Sequence, residues 1–228
     1  MERKTRREFG EITHSWNPIT GCLHRCVYCW ARDYAKRLAA MGVKPYKTRF
    51  FEPTLAEWRL KQDFPKGSFI FVSDMGDMWG DWVPREWIEK VLNVVRSKFK
   101  SKFFFLTKNP KRYLEFEGKF SDNVVLGVTL ETNRDYKLSR APPPRERYEA
   151  MVRLNWKNKA IVIEPILDFD KEFIDWIYEI EPKIVYVGYD NYGKRLPEPK
   201  IAKTQILLEA LNDITDLRPK TIRKAWYE

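Results

Sequence analysis

The chain has 228 residues, 43% of them hydrophobic and 32% charged, with a formal net charge of +10. That length and apolar content suit one packed α/β domain and exclude an intrinsically disordered chain. No apolar run reaches membrane-spanning length, and the start, MERKTRREFG, has no hydrophobic signal region behind its charges, so a cytoplasmic protein without a membrane partner is expected.

A basic arm over residues 1–12 leads into a polar strand near Glu11 to Ile19. After the cysteines, Ala31, Tyr34, Ala35, Leu38 and Met41 recur at spacings of three and four, and Gly42 is placed to end that helix. Thr54-Leu-Ala-Glu57 reads as a capping box opening a short inserted helix. Five apolar runs follow, at 69–72, 103–106, 124–128, 161–163 and 184–187; they are continuous rather than alternating, as in strands covered on both faces. Between them lie helical stripes. Pro84 precedes Trp87, Ile88, Val91, Leu92 and Val95, and a later stripe comprises Phe173, Ile174, Ile177 and Ile180. Ser139-Arg-Ala-Pro-Pro-Pro-Arg-Glu-Arg147 reads as a proline-marked loop, and residues 199–228 as a last helix with a basic tail. Alternating strands and helices imply a parallel sheet with outer helices. About six βα units suit a partial (β/α)6 TIM-like barrel, formed as a single domain over residues 1–228.

Parallel α/β architectures carry their chemistry at the carboxyl ends of the strands. Here those ends read Cys22, Ser73-Asp74-Met75-Gly76-Asp77, Thr107-Lys108-Asn109, Thr129-Leu130-Glu131-Thr132-Asn133, Glu164-Pro165 and Gly188-Tyr189-Asp190-Asn191. One polar end is an ordinary turn or cap. Several on one rim make a site. Asp74, Lys108, Glu131 and Glu164 follow apolar runs closely and are expected at the cavity mouth, whereas Asp77 and Asp81 read as capping or loop residues.

All three cysteines, Cys22, Cys26 and Cys29, fall in GCLHRCVYCW. An odd count disfavours a disulfide framework, and the polar neighbours disfavour a buried core. Three thiolates with His24 or His14 would complete a zinc site, giving a zinc-stabilised nucleic-acid-binding protein without radical chemistry. A four-iron cluster is fully ligated by four cysteines, so three leave one iron open to another ligand, which serves an enzyme better than an electron carrier.

The spacing C-x3-C-x2-C, with Tyr28 before the last cysteine, resembles the signature of radical S-adenosylmethionine enzymes. Ser15-Trp-Asn-Pro-Ile-Thr-Gly-Cys22, Phe71-Val-Ser-Asp-Met75, Leu106-Thr-Lys-Asn-Pro110, Leu126-Gly-Val-Thr-Leu-Glu131, Ile163-Glu-Pro-Ile-Leu167 and Val187-Gly188 extend the likeness. They look like a small radical-SAM-related family of phages, bacteria and archaea with largely unassigned activities. The resemblance implies that Cys22, Cys26 and Cys29 hold a 4Fe-4S cluster and that S-adenosyl-L-methionine is the second cofactor. By the same resemblance Tyr28 lies against the adenine, and Ser73-Asp74-Met75 stands where the family has a Gly-Gly-Glu-like stretch that receives the methionine amino group. Lys108 would neutralise the methionine carboxylate, and Thr129 or Glu131 would bind the ribose. Ile163, with Glu164 beside it, Val187 and Gly188 would surround the adenine. An external electron donor would reduce the cluster, and cleavage of S-adenosylmethionine would yield a 5′-deoxyadenosyl radical that takes hydrogen from a substrate.

The basic balance points to a nucleic-acid substrate or to a merely solubilising surface. Arg134, Arg140, Arg145, Arg147 and Arg153 follow the fourth apolar-run strand end. Arg3, Lys4, Arg6 and Arg7 lie at the start, and Arg218, Lys220, Arg223 and Lys224 near the finish. Trp79, Trp82, Trp156 and Trp226 are candidates to stack on unpaired bases. A peptide or a small phosphorylated molecule is the other class of substrate this pattern allows.

Overall fold

The continuous apolar runs become neighbouring strands because helices cover one face of each and aromatic packing covers the other. The computed structural model describes residues 9–228. Most of the expected basic arm, with Arg3, Lys4, Arg6 and Arg7, lies outside the described residues. The chain begins with β1 (His14–Trp16), β2 (Ile19–Thr20), α1 (Trp30–Ala40), α2 (Tyr46–Arg49), β3 (Thr54–Leu55) and a 3-10 turn (Glu57–Lys61). Then come β4 (Phe69–Val72), α3 (Arg85–Ser97), β5 (Lys102–Thr107), α4 (Lys111–Leu114) and β6 (Val124–Thr129). The last part holds α5 (Pro144–Arg153), β7 (Lys159–Ile163), α6 (Glu172–Ile180), β8 (Ile184–Val187), α7 (Ile201–Asn212) and β9 (Asp216–Pro219).

Seven strands form one sheet in the order β1-β4-β5-β6-β7-β8-β9, and every neighbouring pair is parallel. Spatial order thus follows chain order, as in a barrel rather than a doubly wound sheet, and among the described residues β1 and β9 are the edge strands. Successive side chains of a strand point to opposite faces. On β5, Phe103 and Phe105 join the helix-side core with Ile88 and Val91, whereas Phe104 faces inward with Phe71, Val162 and Tyr186. Phe9 fills this inner face: its ring meets Phe71, Phe104 and Tyr186 edge-on at centroid distances of 5.4, 5.6 and 4.5 Å.

Four details depart from the sequence reading. A seventh main-sheet strand, β9, is present; Asp216-Leu-Arg-Pro has no apolar run, and its register against Ile184–Val187 makes it a strand. Its Pro219 is tolerated because β9 is an edge. The first strand is split at Pro18, so that Ile19 and Thr20 leave the main sheet and pair antiparallel with Leu55 and Thr54. The capping box at Thr54 does not form. Thr54 is in a strand, its hydroxyl donates to the Glu52 carbonyl at 2.9 Å, and the following 3-10 turn starts from Ala56 without a side-chain cap. Finally, the proline stretch is only partly a loop: Pro144 is the first residue of α5, where its fixed φ and missing N–H cost nothing.

Candidate functional site

The cysteine loop leaves β2 through a close crossing of two backbones. Gly21 has φ +86°, and it is bridged to Gly76, which follows β4. Gly21 N donates to the Met75 carbonyl at 2.9 Å, and Asp77 N donates back to the Gly21 carbonyl at 3.2 Å. A Cβ on Gly76 would stand 2.7 Å from Gly21 O and 2.8 Å from Gly21 N. Gly76→Ala is therefore expected to cost about 2 kcal/mol and lower Tm by about 4–8 °C, measured by thermal denaturation.

Beyond Gly21 the three thiols are free and half-buried. The Cys22 sulfur accepts from His24 N at 3.4 Å, and the Cys29 sulfur caps α1 by accepting from Arg32 N at 3.4 Å. Burial pushes the Cys22 thiol well above its ordinary range, with Asp77 adding to the effect and Cys26 and Cys29 contributing, so the three sulfurs share one electrostatic neighbourhood. Burial also raises Cys26, while Lys108 opposes it. Among the described residues, no three His, Cys, Asp or Glu side chains form a ready single-ion site. The donor set fits an iron–sulfur cluster: soft sulfur ligands from one short loop, two of them accepting main-chain N–H groups as cluster thiolates do.

Next to this loop, β4 ends in Ser73, whose φ of 59° is left-handed. Ser73 is 3% exposed and, among the described residues, its hydroxyl has no hydrogen-bond partner. A buried hydroxyl left unpaired is costly and marks a group held for something else. Asp74 accepts from Asn17 Nδ2, and Asn17 Oδ1 accepts from Met75 N at 2.9 Å. Burial raises the Asp74 carboxyl, against hydrogen bonds that lower it.

The third part is a buried charge hub. Glu131 is 2% exposed. Its Oε1 accepts from Lys108 Nζ and the Tyr28 hydroxyl, and its Oε2 accepts from Arg147 Nη1 at 2.7 Å. Lys108 Nζ also lies 5.2 Å from the centre of the Tyr28 ring. Burial alone would raise the Glu131 carboxyl, but Lys108 and Arg147 overcome it and bring it down to about 2. Thr129, at the end of β6, is buried, and its carbonyl accepts from Arg147 at 3.1 Å.

Across the rim, Glu164 accepts from Lys220 Nζ and, at 3.4 Å, from Asn191 Nδ2. Gly188 leaves room for this carboxylate, since a Cβ there would sit 3.0 Å from Glu164 Oε1. Ile163 and Val187 are placed differently from the polar residues: both side chains are packed in the helix-side core. The structure thus brings Cys26, Tyr28, Lys108 and Glu131 together, puts Ser73 and Asp74 beside the cysteine loop's anchor, and sets Glu164 and Gly188 in a separate cluster. Asp77, read as a loop residue, is buried and bonded to His24 within the cysteine motif. Asp81 accepts from Asn109 Nδ2 at 2.8 Å, in keeping with a loop role. In the sequence Lys220 is one of the cations near the finish of the chain, and the β9 pairing that brings it to the rim carries no periodic signal.

Residues 5–179 match the model of a family described as "Protein of unknown function (DUF5131)". The chain belongs to that family. No curated protein matches it. Among solved structures, a cysteine-to-serine mutant of spore photoproduct lyase aligns with a TM-score of 0.59 and 10% identity, over 90% of this chain and 75% of that one. Spore photoproduct lyase complexed with dinucleoside spore photoproduct aligns at TM-score 0.53 and 11% identity, covering 86% of this chain and 60% of that one. At these identities the likeness is one of fold.

Within this family member, most of the arginines expected to gather for a nucleic-acid partner are paired with carboxylates. Arg147 is 4% exposed and tied to Glu131, so it belongs to the hub. Arg134 pairs with Asp168 and Asp170, Arg145 with Glu149, Arg218 with Glu11 and Asp216, and Arg223 with Glu198. Arg140 and Arg153 are exposed. Trp79 is fully buried against Phe105 and Tyr113 and is not available to stack on a base, whereas Trp226 is 52% exposed. Trp82 and Trp156 are half-buried, and Trp156 donates to the Val124 carbonyl at 3.2 Å. Among the described residues no helix is long and apolar enough to cross a membrane.

Proposed function

We propose that this chain is a radical S-adenosylmethionine enzyme that acts on a nucleic-acid substrate. The observation that carries the reading is the loop of three free cysteines at the carboxyl rim of a parallel sheet ordered as in a partial barrel. When bound, a 4Fe-4S cluster and S-adenosylmethionine supply reductive generation of a 5′-deoxyadenosyl radical that takes a hydrogen atom from the substrate. Cys22, Cys26 and Cys29 would hold the cluster. Ser73, with its unspent hydroxyl, and the Asp74–Met75 segment would receive the methionine amino group. Lys108, held by Glu131, would face the methionine carboxylate, and Tyr28 would lie against the adenine. Glu131 is occupied by three donors, so its role would be to orient Tyr28 and Lys108, and Thr129 would take the ribose. Glu164 and Gly188 would complete the adenine side, with Ile163 and Val187 supporting it from the core. A cytoplasmic setting and an external electron donor go with this chemistry.

The nucleic-acid assignment is supported by the net charge of +10 and by the fold likeness to a lyase complexed with a dinucleoside. The alternative, a Cys3His zinc site in a nucleic-acid-binding protein, is favoured by one observation: His24 is held through Nε2 by a carboxylate and, among the described residues, its buried Nδ1 has no partner. Anaerobic reconstitution separates the two. The enzyme reading expects about four irons per chain and reductive release of 5′-deoxyadenosine. One tightly held zinc and no cleavage would defeat it. Retention on a single-stranded oligonucleotide is expected to fall steeply with salt; retention indifferent to salt would remove the nucleic-acid assignment.

A further inference from the structure

Most of the cysteine loop is half-buried, with Arg25 and Val27 exposed, and His24 is the motif's buried residue at 3% exposure. Its Nε2 meets Asp77 Oδ2 at 3.0 Å. Asp77 is itself fixed to the sheet. Its Oδ1 accepts from Trp79 N at 3.0 Å and from the Thr107 hydroxyl at 2.8 Å, and its Oδ2 accepts from Lys108 N at 3.1 Å. The carboxylate is thus anchored by the ends of β4 and β5, and His24 takes the remaining position. The imidazole also packs against Trp82, with ring centroids 4.7 Å apart, and the His24 carbonyl accepts from Arg140 N at 2.6 Å.

The loop needs such support. Arg25, the next residue, sits at φ 53°, a left-handed conformation that costs a non-glycine residue about 1 kcal/mol or more. The main-chain N–H of His24 points at the Cys22 sulfur at 3.4 Å. Hydrogen bonds to the sulfurs are among the factors that set the potential of an iron–sulfur cluster.

We propose that His24 and Asp77 form a strut that holds the cysteine loop in its cluster-binding shape and keeps the His24 N–H on the Cys22 sulfur. His24 is then a positioning residue and not a metal ligand. The inference rests on the reading that Cys22, Cys26 and Cys29 hold a 4Fe-4S cluster. Without the strut the loop relaxes, the N–H leaves the sulfur, and the extra negative charge of the reduced cluster is less well stabilised.

The test compares the full chain with its His24→Ala, His24→Gln and Asp77→Asn variants after anaerobic reconstitution. Three quantities are read: iron and sulfide content, iron loss to a chelator, and the midpoint potential in an EPR-monitored dithionite titration. His24→Ala is expected to lose iron about 10-fold faster, as removal of an outer-shell partner does, and to shift to a more negative potential. His24→Gln keeps a side-chain N–H donor for Asp77 and is expected to restore both. If His24→Ala does not fold, Asp77→Asn carries the same expectation. Variants that all match the loaded wild type would overturn the strut alone. A Gln variant as defective as Ala would overturn it in favour of ligation by His24. A wild-type chain that assembles no cluster would overturn the proposed function together with the strut.

Discussion

Cys26→Ala is expected to abolish iron–sulfur loading, dropping iron from about four per chain to below one, and to take S-adenosylmethionine cleavage to background. Cys26 is the most informative of the three positions. Cys29 caps α1, so its replacement mixes a cluster effect with loss of a cap, worth about 1 kcal/mol. Cys22 accepts the His24 N–H and directly follows Gly21, which makes the close crossing with Gly76. Cys26 is half-buried in the loop and is not a helix cap, so its truncation is expected to leave Tm within about 4 °C of wild type. Iron and sulfide analysis beside a melting curve checks both halves. A Cys26→Ala chain that still holds a full cluster and cleaves S-adenosylmethionine would show that the motif does not ligate.

The second large effect belongs to Glu131. Glu131→Ala leaves Lys108 and Arg147 facing each other without their shared anion, in a site where the Arg147 and Lys108 side chains are 4% and 12% exposed. Removing one partner from a buried ionic group costs about 3–5 kcal/mol. Denaturant unfolding is expected to show that loss, and a change below about 1 kcal/mol would mean the hub is not tight in solution. The same carboxylate makes stability depend on pH. Its folded value of about 2 lies below its ordinary 4.5. Its contribution is therefore fully present above about pH 4.5 and is lost as pH falls toward 2, by an amount on the order of 3 kcal/mol. Glu131→Gln is expected to flatten that acid limb, which a pH series of unfolding curves would read directly.

The sheet was legible where burial on both faces writes continuous apolar runs, as at Phe69–Val72 and Ile184–Val187. It was not legible at β9, where the partner strand supplies the register and the residues themselves are mostly polar. Pro143 and Pro144 hid α5, because a proline before or at the first turn of a helix looks the same in sequence as one in a loop. At the rim, period-two alternation places Lys108 after Phe104 and Leu106, and Glu164 after Val162, so these polar residues could be found by counting along a strand. Glu131 was visible as a polar residue but not as the centre of a charge hub. Its partners Tyr28, Lys108 and Arg147 come from separated segments, and only the folded chain brings them together. Arg147 shows the converse error: in a basic stretch it resembles a surface contact, yet its guanidinium is spent inside.

Phe9, wedged among Phe71, Phe104 and Tyr186, closes the inner face of the sheet from the start of the described chain. Lys220 Nζ lies 4.3 Å from the centre of the Phe9 ring while it pairs with Glu164, so one cation ties the inner aromatic packing to a carboxylate at the rim.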